Sequence, residues 1–129
     1  MFSKYNDNLA AIVFCLFFLG IAGYVFQLLF TTETWLLANE INLNALSIAR
    51  VMGGAWLGLG FGLLLTFKDG PDGQKIYFWT IGLAQISTLV VILYHHFVLS
   101  TPAIADDALI VSVLTLLFIV GFYKIKSRL

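Results

Sequence analysis

His95 and His96 are the only histidines in the chain, and they lead the residues able to do chemistry. Imidazole binds metal ions, haem iron or a chlorin magnesium, and it relays protons near neutral pH. Adjacent side chains on a helix point about 100° apart, so this pair does not easily clamp one ion. Bis-histidine haem would need a second subunit. Gln85 and Thr88 fall with the histidines inside about a 100° arc of a helical projection, a polar stripe on an otherwise apolar segment. The ordinary role of such a stripe is hydrogen bonding between helices, because an unpartnered polar group in lipid is expensive. Arg50 is the second candidate. Lying four residues before Gly54, it is expected to point toward a packed face, where it could line a solute path. Its plainer alternative is to snorkel to the outer headgroups or to pair with Glu40 or Glu33. Glu33, Glu40, Asp106 and Asp107 complete the set. Gathered with Arg50 and the histidines at one mouth of a bundle, they could hold zinc or another divalent ion.

Other chemistry finds little footing. Cys15 is the single cysteine, so it forms no internal disulfide, CxxC pair or iron–sulfur site, and it reads as a small buried hydrophobe. No nucleophile elbow and no HExxH occurs. No Asp or Glu is expected inside the apolar cores, which counts against a proton-coupled transporter. The seven basic residues form no cluster larger than the three at the C-terminus, so a nucleic-acid surface is not expected. A non-enzymatic protein without a cofactor is the expectation.

The elements that must position these residues are membrane helices. Apolar residues make up 60% of the 129 and charged ones 11%, against roughly 45–50% and 25% in soluble domains. A soluble domain of this size has too little interior to hide that surface. A bilayer-spanning helix needs about 20 mostly apolar residues, and four such blocks predict helices over about 9–30, 47–67, 76–99 and 103–123. Thr101-Pro102 reads as the N-cap and first turn of the last helix, with Asp106 and Asp107 favouring its positive end. The first block is longer than the roughly 7–15 apolar residues of a signal peptide, so a retained helix is expected. Residues 68–75, with Pro71 followed by Asp72-Gly73, predict a tight connection. Residues 34–44 predict a short helix in the membrane interface with Trp35 at headgroup depth.

Basic residues orient the helices. Lys4, Lys68, Lys75, Lys124, Lys126 and Arg128 fall on one side and Arg50 alone on the other, which predicts both termini on the same, cytoplasmic side. The second helix carries Gly53, Gly54, Gly58, Gly60 and Gly62. Glycines let helices approach closely in lipid, so this arc is expected to be the packing face, with Met52, Trp56, Leu59 and Leu63 turned outward. Its partner is this chain, a second copy or another membrane subunit.

The stretch from Asn42 to Phe97, centred on Ala49-Arg50-Val-Met-Gly-Gly-Ala-Trp-Leu-Gly-Leu-Gly-Phe-Gly62, resembles an uncharacterised family of small bacterial four-helix membrane proteins. That family is similar in outline to the scaffold protein of fungal ergosterol synthesis. Tyr94-His95-His96 stands where the resemblance leads one to expect a Gly-Arg pair. The resemblance implies a four-helix bundle and a scaffolding role, and it implies no catalytic residue; the expected location is a bacterial inner membrane. The expectation is therefore an all-α, four-span accessory or scaffold subunit. The alternatives are a cofactor- or pigment-binding protein using His95 or His96, and a small-solute channel or transporter.

Overall fold

A computed structural model describes residues 2–100 and 105–129. The described residues form five α-helices: α1 (Asn8–Leu29), α2 (Thr32–Ala38), α3 (Leu46–Asp69), α4 (Lys75–Phe97) and α5 (Ala105–Ile125). Short 3-10 turns precede α1 (Phe2–Tyr5) and α3 (Leu43–Ala45). All four long helices have the length and apolarity to cross a membrane, and their exteriors stay oily, with Ile12, Leu57, Leu83 and Leu116 all exposed. Lipid tails can cover such a surface and water cannot. The chain is thus an all-helical bundle compatible with a multi-pass integral membrane protein. The Thr101-Pro102 cap and the start of the last helix near Ala103 lie outside the described residues.

α1 is the central element, packed between α3 and α5, and α5 in turn carries α4. α3 and α4 are neighbours in sequence but make little backbone contact. They meet near their connecting loop, where the Tyr77 hydroxyl donates to the Leu59 carbonyl at 2.6 Å. The same end holds the densest packing. Phe14 lies 5.7 Å from Tyr5, 5.3 Å from Phe78 and 6.0 Å from Phe118, ring centre to ring centre. The Tyr5 hydroxyl hydrogen-bonds Thr66, whose own proton goes to the Leu63 carbonyl at 2.8 Å. Burial pushes the Tyr5 phenol up to about 12, so it remains a neutral donor.

Polar groups close this end. Asp7 caps α1, accepting from the Ala10 backbone N–H at 2.9 Å, and lies 3.8 Å from Lys124. Arg128 forms an ion pair with Asp72 and donates to the backbone carbonyls of Lys4 and Tyr5. One guanidinium therefore ties the first residues, the 70–74 loop and the last residues together. Five donors in a rigid fork suit it to that task.

At the opposite end, the interfacial helix expected over residues 34–44 is instead two pieces. α2 runs only from Thr32 to Ala38. Glu40, with φ 55°, breaks the helical path, and the Asn39 side chain caps the Trp35 carbonyl at 2.9 Å. α2 docks against the bundle through one face. Leu36 is 1% exposed, and the buried Thr32 donates to the Leu28 carbonyl at 2.6 Å.

The glycine arc of α3 needs correction. Trp56 and Leu63, expected to face outward, are buried. With Ala49, Gly53, Gly60 and Phe67 they form the inward stripe at spacings of three and four. Gly54 and Gly58, expected at the packing face, are exposed, and a Cβ added to either would meet nothing within 4 Å. The reason is volume: the large side chains of this helix fill the bundle, leaving part of the small arc outside.

Candidate functional site

Where α1 carries Gly23 instead of a large side chain, the bundle fails to close, and a partly open cavity of about 210 Å³ remains between the four long helices. Its polar wall is built from Tyr24 and Gln27 on α1, Trp56 on α3, Gln85 and Thr88 on α4, and Asp107 on α5. Ile21, Ile110, Val111 and Leu114 supply apolar surface. Phenylalanines fill the core at the other end, and the polar groups of the spans collect here. Tyr24 is fixed from outside by the ring of Trp35 on α2, 6.1 Å away and edge-on, so the docked short helix braces one wall.

Gln85 is the best-anchored of these groups. It is 3% exposed, and its amide donates to the Thr115 hydroxyl at 3.0 Å and to the Val111 carbonyl at 3.4 Å. Thr115 passes its proton to the same Val111 carbonyl at 2.7 Å. Thr88 bonds back to the Ala84 carbonyl of its own helix at 2.9 Å. Of the stripe expected from the sequence, Gln85 thus hydrogen-bonds to a neighbouring helix and Thr88 to its own. His95 and His96 continue it about two turns beyond Thr88, half-buried, but neither lines the cavity. The Nδ1 of His96 is buried without a hydrogen-bond partner, the only such side-chain atom among the described residues.

The outer polar cluster does not assemble. Among the described residues, no group of three or more His, Cys, Asp or Glu side chains comes together in a way that could hold a metal ion. Arg50 does not point into the packed face. It is exposed, beside residues Phe30 to Thr34 around a shallow depression, and it makes no ion pair with Glu33 or Glu40. The helical turn that puts Ala49 and Gly53 inside leaves Arg50 outside. Glu40 is exposed as well.

Asp107, expected in an early turn of the last helix, is the carboxylate that the packing brings to this cavity. It belongs to the first described turn of α5, inside the apolar segment Ala105–Ile125, half-buried at the cavity wall. The ion pairs of the described residues, Lys124–Asp7 and Arg128–Asp72, are both at the other end of the bundle. Asp107 has no cation beside it. A sequence signal for this site existed in part: Gln27 is the one strongly polar residue of the first apolar block, and Tyr24 lies on the same face three residues earlier. Only the packing brings them to Asp107 and Gln85. No protein-family model matches the chain, and neither the curated proteins nor the solved structures contain a significant match to it.

Proposed function

We propose that the chain is a small, non-catalytic accessory or scaffold subunit of a larger membrane assembly, docked through the outer face of α3. One observation carries this reading: Gly54 and Gly58 are exposed with open space before them, while Gly53 and Gly60 on the same helix are packed. Glycine inside a helix costs roughly 1 kcal/mol relative to alanine. Gly54 and Gly58 gain no close contact within this chain to offset that cost, and a partner helix approaching the face would supply it. The scaffolding role implied by the resemblance of residues 42–97 is the same role.

The orientation we propose puts both termini and the 70–74 loop on the cytoplasmic side of a bacterial inner membrane. The basic residues support it, and so does the shared anchoring of those segments by Arg128. Lipids and other membrane subunits, or a second copy, are the partners this surface suits.

Extraction of native membranes in a mild detergent, followed by crosslinking, tests the assembly. The wild type is expected in a species larger than the monomer. The Gly54→Leu/Gly58→Leu double variant is expected to keep its helicity and thermal stability yet fall to monomer. A wild type recovered only as monomer, or assembly unchanged in the double variant, rejects the reading.

The orphan Nδ1 of His96 supports a second reading, a cofactor or pigment held at His96 with help from another subunit. A visible absorption band lost in His96→Ala is expected on that reading. A colourless native complex removes it.

A further inference from the structure

The cavity between the four long helices has a chemistry of its own, separate from the outer face of α3. Among its lining residues Asp107 alone is charged, and no Lys, Arg or His is present with it. Asp107 accepts no ion pair among the described residues. A half-buried carboxylate in apolar surroundings is costly without a cation to compensate it. The start of a helix offers part of that compensation through the backbone dipole, but it supplies no full positive charge.

The other walls describe what cation would fit. Trp56 and Tyr24 present aromatic rings, which attract an ammonium through their negative faces. Ile21, Ile110, Val111 and Leu114 match an apolar body. Gln85 spends its amide donors on Thr115 and Val111, and Thr88 spends its proton on Ala84, so what both retain for an occupant is acceptor oxygen. A carboxylate, acceptor oxygens, aromatic faces and a greasy wall are the complement of an organic ammonium. At about 210 Å³, the cavity is smaller than the roughly 300–1,000 Å³ of drug-sized sites. That limits the occupant to something of the order of a benzylamine.

We infer that this cavity is a binding site for a small organic cation with an apolar body, with Asp107 as its counter-ion.

The test is calorimetric titration of the full chain, in neutral detergent micelles at about pH 7, with benzylammonium and with its uncharged isostere ethylbenzene. Saturable binding of the cation is expected, with the neutral isostere about tenfold weaker or worse, as loss of a charge-assisted contact requires. Asp107→Asn is expected to weaken the cation by about tenfold, and Asp106→Asn to leave it unchanged. Because Asp107→Asn could disturb folding, Gly23→Leu is the second variant. The added side chain starts in open space at the cavity wall and is expected to block binding while the melting temperature holds. No saturable binding by the wild type, equal affinity for the neutral isostere, or cation binding unaffected by either Asp107→Asn or Gly23→Leu overturns the proposal. Each result leaves the assembly state, and so the scaffold reading, to be judged by its own crosslinking experiment.

Discussion

Glycine has opposite meanings at different positions in this chain, and the difference is measurable. A Cβ on Gly121 would lie 2.8 Å from the Phe14 ring, and one on Gly82 would lie 2.7 Å from Phe118. Both phenylalanines are held by other core rings and have nowhere to retreat. Gly121→Ala and Gly82→Ala are therefore expected to destabilise the bundle by about 1–3 kcal/mol each. Gly54→Ala and Gly58→Ala meet open space, and are expected to leave the isolated chain unchanged or stabilise it by about 0.5–1 kcal/mol. Denaturation of purified variants in mixed micelles compares them directly. Gln85 makes a similar point about polar groups. Gln85→Leu removes the bond to Thr115, but the Thr115 hydroxyl keeps the Val111 carbonyl, so no donor is stranded. The expected loss is only about 0.6–1.7 kcal/mol, the span of such bonds between membrane helices. A loss above that would mean the cavity wall depends on Gln85 for its shape.

At the scale of elements, the ends of the helices are held by charge and the middles by packing. Asp7 is kept below the ordinary carboxylate range chiefly by the backbone N–H of Ala10, with Lys124 adding to it. Asp72 is kept low chiefly by the Arg128 guanidinium. For groups whose folded value is depressed, the stabilisation is complete above the unfolded value, about 3.8, and is lost as pH falls through the lower folded value. The melting temperature in detergent is therefore expected to hold from pH 7 to pH 5 as far as these groups govern it, and to fall below about pH 4. Asp7→Asn with Asp72→Asn should flatten that fall. Arg128→Ala should lower the melting temperature at neutral pH, because the Lys4 and Tyr5 carbonyls lose their shared donor. It should also make the 2–7 segment a preferred site of proteolysis.

For the whole molecule, the decisive question is how the bundle lies across the bilayer. Single cysteines introduced by Lys75→Cys, Arg128→Cys and Asp106→Cys in a Cys15→Ala background report it. In sealed vesicles of known sidedness, an impermeant maleimide is expected to label positions 75 and 128 from the cytoplasmic face, and position 106 only from the other. Labelling of all three from one face would refute the proposed topology.

Four apolar blocks of near-spanning length are a one-dimensional signal, legible because each helix satisfies its own backbone and needs only a length of oily sequence. The bounds of the long helices lie within two residues of those read from the chain wherever the residues are described. The tight connection at Pro71 was equally local, set by turn chemistry between two helices. The inward face of α3 was not legible. A run rich in glycine beside Trp56 and Leu63 offers two plausible stripes, and only the volume left by α1 selects the bulky one. Arg50, His95 and His96 are conspicuous by type, yet the rotation of their helices turns Arg50 outward and keeps both histidines off the cavity wall. In the sequence Asp107 reads as a helix-end carboxylate and one member of an outer polar cluster, with nothing to tie it to Gln85 or Tyr24. It became the centre of a site because Gly23, more than eighty residues away in sequence, leaves room at the same cavity. Distances along one helix come from local rules; which side chain faces an empty space depends on how four helices share a volume.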